Sequence, residues 1–266
     1  MEQPDLAICM FSTFRVFRSG SRVDRALGSK ARSLIKILAA NPTKCLPKDA
    51  LMELIWPQHD PLAAATSLKV AAHKLRHSLK HSDPGRGSSE WIIADKGSYR
   101  LNPEATVWID VEAFRSHSHR ARQLLATGAN SAARIEFEKA EQLYAGDYLE
   151  EDLYEDWTVL KREELRDLYL DTLNRLATLC MAEGLYEDVI RYCHKIVLAD
   201  PCREDAYQML MQSHGALNQF ARAGSWYAVC RATLRREIGC MPSMETVQTF
   251  EELFSGPDLR ANSRPA

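Results

Sequence analysis

Apolar residues alternate with polar ones at Leu6, Ile8 and Met10 and again at Phe14 and Val16, the period-two pattern of a half-buried strand. They predict an opening strand, a turn at Ser19-Gly20 and a partner strand around residues 21–27. The period then lengthens. Leu34, Ile35, Leu38 and Ala39 follow helical spacing behind Ser29, which fits an N-cap, and Asn41-Pro42 ends that segment. A short second helix fits 47–55, opened by Pro47 and closed by Trp56-Pro57, with Ala50, Leu51, Leu54 and Ile55 as its buried face. Asp60-Pro61 caps a third helix that runs through Leu79 until Ser82-Asp83-Pro84-Gly85 breaks it. After a Gly/Ser-rich stretch, residues 91–94 and 98–101 flank Asp95-Lys96-Gly97 as a hairpin turned at Lys96-Gly97. Three helices followed by a hairpin form a winged helix-turn-helix.

From Val111 onward the pattern is helical, punctuated at Thr127-Gly128, 145–147, Glu183-Gly184, Asp200-Pro201 and 239–242. Self-comparison gives a period of 34: Leu176 aligns with Leu210, Tyr186 with Phe220, Val189 with Ala223, Tyr192 with Trp226 and Cys193 with Tyr227. That is the tetratricopeptide period, in which helix pairs stack because one pair cannot bury its own apolar face. The units are 171–201 and 204–236, and helices around 111–127, 131–143 and 157–171 cap the stack. Tyr192, Trp226 and Tyr227 are assigned to packing. The fold expected is mainly α: a winged helix-turn-helix (α+β) over 1–103, an all-α tetratricopeptide-like repeat domain over 104–254, and a disordered tail over 255–266.

Charge separates the halves. Residues 1–103 carry 16 Lys and Arg against 9 Asp and Glu, a net +7, and the remaining 18 cations face 27 carboxylates, a net −9. Only the first half is suited to a polyanion, whose phosphates attract cationic side chains. The sharpest local sign is on the third helix. Leu68, Ala72, Leu75 and Leu79 share one stripe, while Thr66, Val70, His73, Lys74 and His77 occupy the other face, flanked by Ser67, Lys69 and Arg76. No acid occurs between Asp60 and Asp83. A carboxylate-free helix suits the major groove, where Lys and Arg meet phosphates and guanine edges. The bland alternative is a solvated basic face. Lys48 on the second helix, and Lys96, Ser98 and Arg100 on the hairpin, complete the candidate DNA contacts.

These residues carry a family resemblance. Ser29-Lys30-Ala31-Arg32, Leu54-Ile55-Trp56-Pro57, the stretch 65–79 and Gly97-Ser98-Tyr99-Arg100-Leu101 resemble, in order and spacing, the antibiotic regulatory protein (SARP) family with its OmpR-type winged helix and N-terminal sheet. Lys74 and His77 stand where arginine is frequent in that family. The acidic half resembles the family's bacterial transcriptional activation domain through residues 110–114, 144–147, Trp157 with 162–166, and 200–204. The resemblance implies a transcription activator that binds direct repeats in double-stranded promoter DNA and recruits RNA polymerase; self-association on the DNA is a separate expectation. Two other expectations differ in class: an adaptor working through its tetratricopeptide half, and an effector-responsive repressor. The charge on the third helix discriminates against the adaptor.

No enzyme is expected, because no glycine-rich phosphate loop, H-E-x-x-H or nucleophile elbow occurs. The nearest catalytic candidates are Cys193-His194 and the Glu150-Glu151-Asp152 cluster. The seven cysteines show no C-x-x-C pair and no zinc spacing, so they are expected to be reduced, mostly core residues, with no metal or cofactor. With no signal-peptide pattern and no apolar run of about 20 residues, a cytoplasmic location away from membranes is expected.

Overall fold

The opening alternation forms two strands rather than one. A computed structural model describes residues 4–80 and 91–255 of the chain; the break expected at Ser82 to Gly85 and the tail from 256 onward lie outside the described residues. β1 (Leu6–Cys9) and β2 (Arg15–Arg18) pair antiparallel with Ile8 opposite Val16. Leu6, Ile8, Met10, Phe14 and Val16 are fully buried, so the period-two pattern marks a real face, and a turn through Ser12 at φ 60° divides it. β3 (Ser21–Arg22) is shorter than the partner expected over 21–27. Residues 24–26 form a 3-10 turn instead, and the Asp24 carboxylate accepts from the Val16 amide at 3.1 Å and from Arg22 Nε at 2.9 Å.

α1 (Ser29–Ala40) starts one residue earlier than Ser29 as N-cap requires: Gly28 is the cap and offers no side-chain bond. β4 (Leu46–Pro47) and α2 (Lys48–Ile55) follow. Leu51 and Ile55 of α2 are buried, but Ala50 and Leu54 are exposed, because so short a helix rests on its neighbours along a narrow line. α3 (Pro61–Leu79) begins as expected, with Asp60 accepting from the Leu62 and Ala63 amides at 3.0 and 3.2 Å. β5 (Ile92–Asp95) and β6 (Ser98–Leu101) form the hairpin, and β7 (Val107–Ile109) precedes α4 (Asp110–Ala126).

Two strands had no sequence signal. β4 pairs with β6, giving the sheet order β4-β6-β5. β7 pairs parallel with β1, giving β3-β2-β1-β7. Helices α1, α2 and α3 pack on one another, and Trp91 Nε1 donates to the Leu79 carbonyl at 3.0 Å, fastening the hairpin to the end of α3.

Contacts divide the chain into two compact units, Met1–Ala113 with Ala145–Val159, and Phe114–Tyr144 with Leu160–Ala266. The cut expected near Pro103 falls inside the first unit, ahead of β7. Residues 145–159 join that unit through Phe11 bridged to Tyr148, the Leu149 amide on the Met10 carbonyl (2.8 Å), and the Ser12 amide on the Asp147 carbonyl (2.8 Å).

The second unit is helical: α5 (Asn130–Leu143), α6 (Asp156–Ala182), α7 (Tyr186–Ala199), α8 (Glu204–Ala216), α9 (Phe220–Glu237) and α10 (Met244–Phe254), with α4 and α6 each beginning in the first. A single α6 covers both the capping helix expected at 157–171 and the first repeat helix, since no Gly or Pro interrupts 157–183. The period of 34 is visible in the backbone. Gly184 and Asn218, 34 apart, both take positive φ (72° and 58°), and the amides of Leu185 and Gln219 close onto the carbonyls of Cys180 and His214. Tyr192 is buried, Trp226 lies against Tyr207, and Tyr227 stacks on Phe250 of α10 at 4.2 Å. Of the seven cysteines, all free, Cys180, Cys193 and Cys230 are buried, Cys9 and Cys202 half-buried, and Cys45 and Cys240 exposed.

The Asp24 turn supports a pH prediction. Burial alone would raise its carboxyl, but the bonds from Arg22 and Val16 hold it below its ordinary value of 3.8. A depressed folded pKa gives stability that is present above 3.8 and lost as pH falls below it. Asp24→Asn is therefore expected to flatten the acid limb of the stability profile below about pH 4. Urea midpoints at pH 3 and pH 6 check this; an unchanged difference between them would contradict it.

Candidate nucleic-acid interface

The candidate interface centres on α3, whose cap and buried stripe fix which residues face out. Leu68, Ala72, Leu75 and Leu79 are all buried to 2% exposure or less. With that stripe held, Thr66, Lys69, Val70, His73, Lys74 and His77 are exposed and Ser67 is half-buried. Val70 is 48% exposed, an apolar side chain placed among cations, where a thymine methyl would be a suitable partner. The Thr66 hydroxyl donates back to the Leu62 carbonyl at 3.1 Å, which leaves its lone pairs outward.

Arg76 differs from its neighbours. It is half-buried, and its Nε donates to the Ile92 carbonyl at 3.1 Å, so it joins α3 to the hairpin. The sequence pattern placed it at the edge of the outer face and could not register a partner 16 residues away.

The hairpin turn is where the sequence put it. Lys96 (φ 46°) and Gly97 (φ +81°) are both left-handed, the geometry of a type I′ turn matched to strand twist, and Lys96 stands exposed at the tip. Ser98 and Arg100 are half-buried on β6. Lys48 is exposed at the first position of α2, and its amide donates to the Gly97 carbonyl at 2.9 Å, tying the turn to that helix. A Cβ at Gly97 would meet open space, so Gly97→Val introduces left-handed backbone strain without a clash. It is expected to lower stability by about 1–2 kcal/mol. A thermal melt unchanged from the parent would contradict this.

Sequence reasoning missed the start of α1. Gly28, Ser29 and Lys30 border the outer face of α3 across a cavity of about 400 Å³ shared with Val70 and Lys74. A second cavity of about 300 Å³ brings Gly28 beside His73 and His77. The first turn of α1 holds no acid and no side-chain cap, so its amides and helix dipole present positive potential beside the α3 cations. Lys30 is partly engaged, donating to the Ile55 carbonyl at 2.7 Å. The absence of an acid in 25–48 was the signal available in the sequence.

The catalytic candidates have other employment. Glu151 and Asp152 accept from Lys36 Nζ at 2.7 and 2.6 Å. Burial pushes the Cys193 thiol up to about 12, away from the thiolate a nucleophile needs. Among the described residues no cluster of His, Cys, Asp and Glu could hold a metal ion, and no helix is long and apolar enough to cross a membrane.

Both halves of the chain have counterparts among known proteins. Residues 109–254 match the family model of a bacterial transcriptional activator domain, and residues 23–98 match that of a transcriptional regulatory protein, C terminal. The transcriptional regulatory protein MoaR1 of Mycobacterium tuberculosis is 24% identical over 80% of this chain and 68% of its own length. The regulatory protein DnrI of Streptomyces peucetius is 21% identical over 82% of this chain and 80% of its own. Among solved structures, Mycobacterium tuberculosis EmbR in complex with a low-affinity phosphopeptide superposes with a TM-score of 0.78 at 20% identity, over 95% of this chain and 66% of that one.

Proposed function

The chain belongs to the SARP family of bacterial transcriptional regulators, with a DNA-binding winged helix and an activator domain, and from that membership we propose which surface reads DNA and how. In this reading α3 enters the major groove with Thr66, Ser67, Lys69, Val70, His73, Lys74 and His77 toward the bases and phosphates. Lys96, Ser98 and Arg100 follow the backbone from the hairpin, and Lys48 adds a phosphate contact from α2. Arg76 holds the hairpin in register with α3 and meets DNA with its remaining guanidinium donors. The first turn of α1 accepts a phosphate beside Lys74.

The observation that carries this reading is the outer face of α3, free of carboxylates and exposed along its length in a half-chain of net +7. Such a face attracts phosphate and costs nothing in like-charge repulsion. The sites are direct repeats in promoter DNA, bound by two copies side by side. The activator domain recruits RNA polymerase, and the protein works in the cytoplasm on the nucleoid.

Footprinting of the intergenic region upstream of the protein's own locus tests it. Two protected half-sites in the same orientation, a whole number of helical turns apart, are expected. With about six phosphate contacts, affinity should fall on the order of a thousandfold between 50 and 200 mM salt. Protection without sequence preference, or affinity indifferent to salt, would contradict the proposal.

A further inference from the structure

The second unit carries a cationic groove that the DNA-reading surface does not use. Arg231, Ala232, Arg235, Arg236 and Met241 line a cavity of about 720 Å³ at the C-terminal end of α9. From Ala206 to Arg236 the sequence has no Asp or Glu, although its half of the chain is net −9. Arg236 pairs with Glu237 at 2.8 Å, whereas among the described residues neither Arg231 nor Arg235 is ion-paired. Arginines in a last helical turn answer the dipole of the helix. That accounts for Arg235 and Arg236 but not for Arg231 a turn earlier. Nor does it account for Met241, 65% exposed, with Ile238 (56%) and Met244 (85%) exposed nearby in the chain. Guanidinium and thioether side by side suit a partner that alternates carboxylates with aromatic or aliphatic side chains.

This chain displays such a segment itself. In the first unit, Lys36 holds Glu151 and Asp152, and the residues that follow turn outward: Leu153 is 56% exposed, Tyr154 is 98% exposed, and Glu155 and Asp156 are exposed. An almost wholly exposed tyrosine next to a half-exposed leucine, set among acids, is an anchor left open to solvent. We propose that the Arg231–Met241 groove of one copy receives the Leu153–Asp156 segment of a second copy. The carboxylates of Glu155 and Asp156 meet Arg231 and Arg235, and Tyr154 lies against Met241.

The two patches differ, so the contact is heterologous: it runs head to tail and leaves an unused patch at each end. That is the sense needed by copies on sites of one orientation, and in this respect the inference rests on the direct-repeat reading. An inverted repeat would call for a self-complementary patch instead.

Cys240 is exposed beside Met241 and provides the test. The full-length Cys45→Ser/Leu153→Cys variant, which keeps Tyr154, Glu155 and Asp156, is treated with diamide in the absence of DNA and is expected to give a ladder of covalent dimers, trimers and longer species on a non-reducing gel. Adding Cys240→Ser, or Arg231→Glu with Arg235→Glu, should abolish the ladder. Monomer alone, dimer alone, or a ladder that survives the arginine reversals would overturn the proposal. Because no DNA is present, this outcome is separable from the footprint that tests direct repeats. On a DNA fragment with a single half-site, Arg231→Glu/Arg235→Glu should bind as the parent does. A loss there would overturn the proposal by assigning the groove to the DNA backbone.

Discussion

Asp110→Ala is expected to destabilise the first unit by about 3–5 kcal/mol, a large effect for a single polar substitution. Asp110 is 4% exposed, and its carboxylate accepts four hydrogen bonds: two from the Met10 amide (2.9 and 2.8 Å), one from Phe11 (3.0 Å) and one from Val111 (2.8 Å). Those amides belong to the turn after β1 and to the start of α4, one hundred residues apart in the chain. Removing the acceptor leaves three buried N–H groups without partners, each costing about 1–3 kcal/mol, and relaxation or water entry recovers part of the sum. Urea denaturation followed by a probe in the first unit measures it, since the two units need not unfold together. A loss below about 1 kcal/mol would mean that the turn is satisfied in some other way.

Lys36→Ala is expected to cost about 2 kcal/mol and to loosen residues 145–159. Lys36 leaves α1 with a side chain 7% exposed, lies 5.0 Å from the centre of the Phe14 ring, and ends between Glu151 and Asp152. Breaking a buried pair costs more, but these partners are 34% and 21% exposed, and Arg32 remains bonded to Glu151 at 3.0 Å, so solvent and the second cation offset much of the loss. Lys36→Met keeps the aliphatic stem over Phe14 and isolates the charge. Faster hydrogen exchange at the Leu149 amide, which donates to Met10, is the local sign of release. Unchanged exchange in both variants would contradict a role for Lys36 in holding the segment.

What the sequence made legible has a common cause: each feature is decided by neighbours in the chain. Asp60-Pro61 before α3, Lys96-Gly97 in the hairpin and the 34-residue period all depend on backbone preferences within a few residues, and the structure has them in place. The outer face of α3 followed from the inner one. Features set by distant contacts stayed hidden. β7 is three residues long and exists because β1, a hundred positions away, offers an edge. The segment 145–159 looked like part of the helical half because its hydrogen-bond partners in the β1–β2 turn leave no local trace. Ala50 and Leu54 of α2 read as core by spacing alone, yet only Leu51 and Ile55 of that helix are buried. Arg76 has the composition of a DNA contact, and only its bond to Ile92 reveals the additional structural duty.

That duty decides which variant tests the DNA assignment. Replacing Arg76 would disturb the hairpin as well as any contact with DNA, whereas Lys69 and Lys74 are exposed and carry no such bond among those described for α3. The most direct measurement is therefore the salt dependence of promoter binding by Lys69→Ala/Lys74→Ala beside the parent. The expected result is a loss of affinity of about tenfold or more at moderate salt, a log–log salt slope reduced by about 2, and an unchanged urea midpoint. A variant that binds the same site with the parent's affinity and slope would contradict the assignment of α3 as the DNA-reading helix.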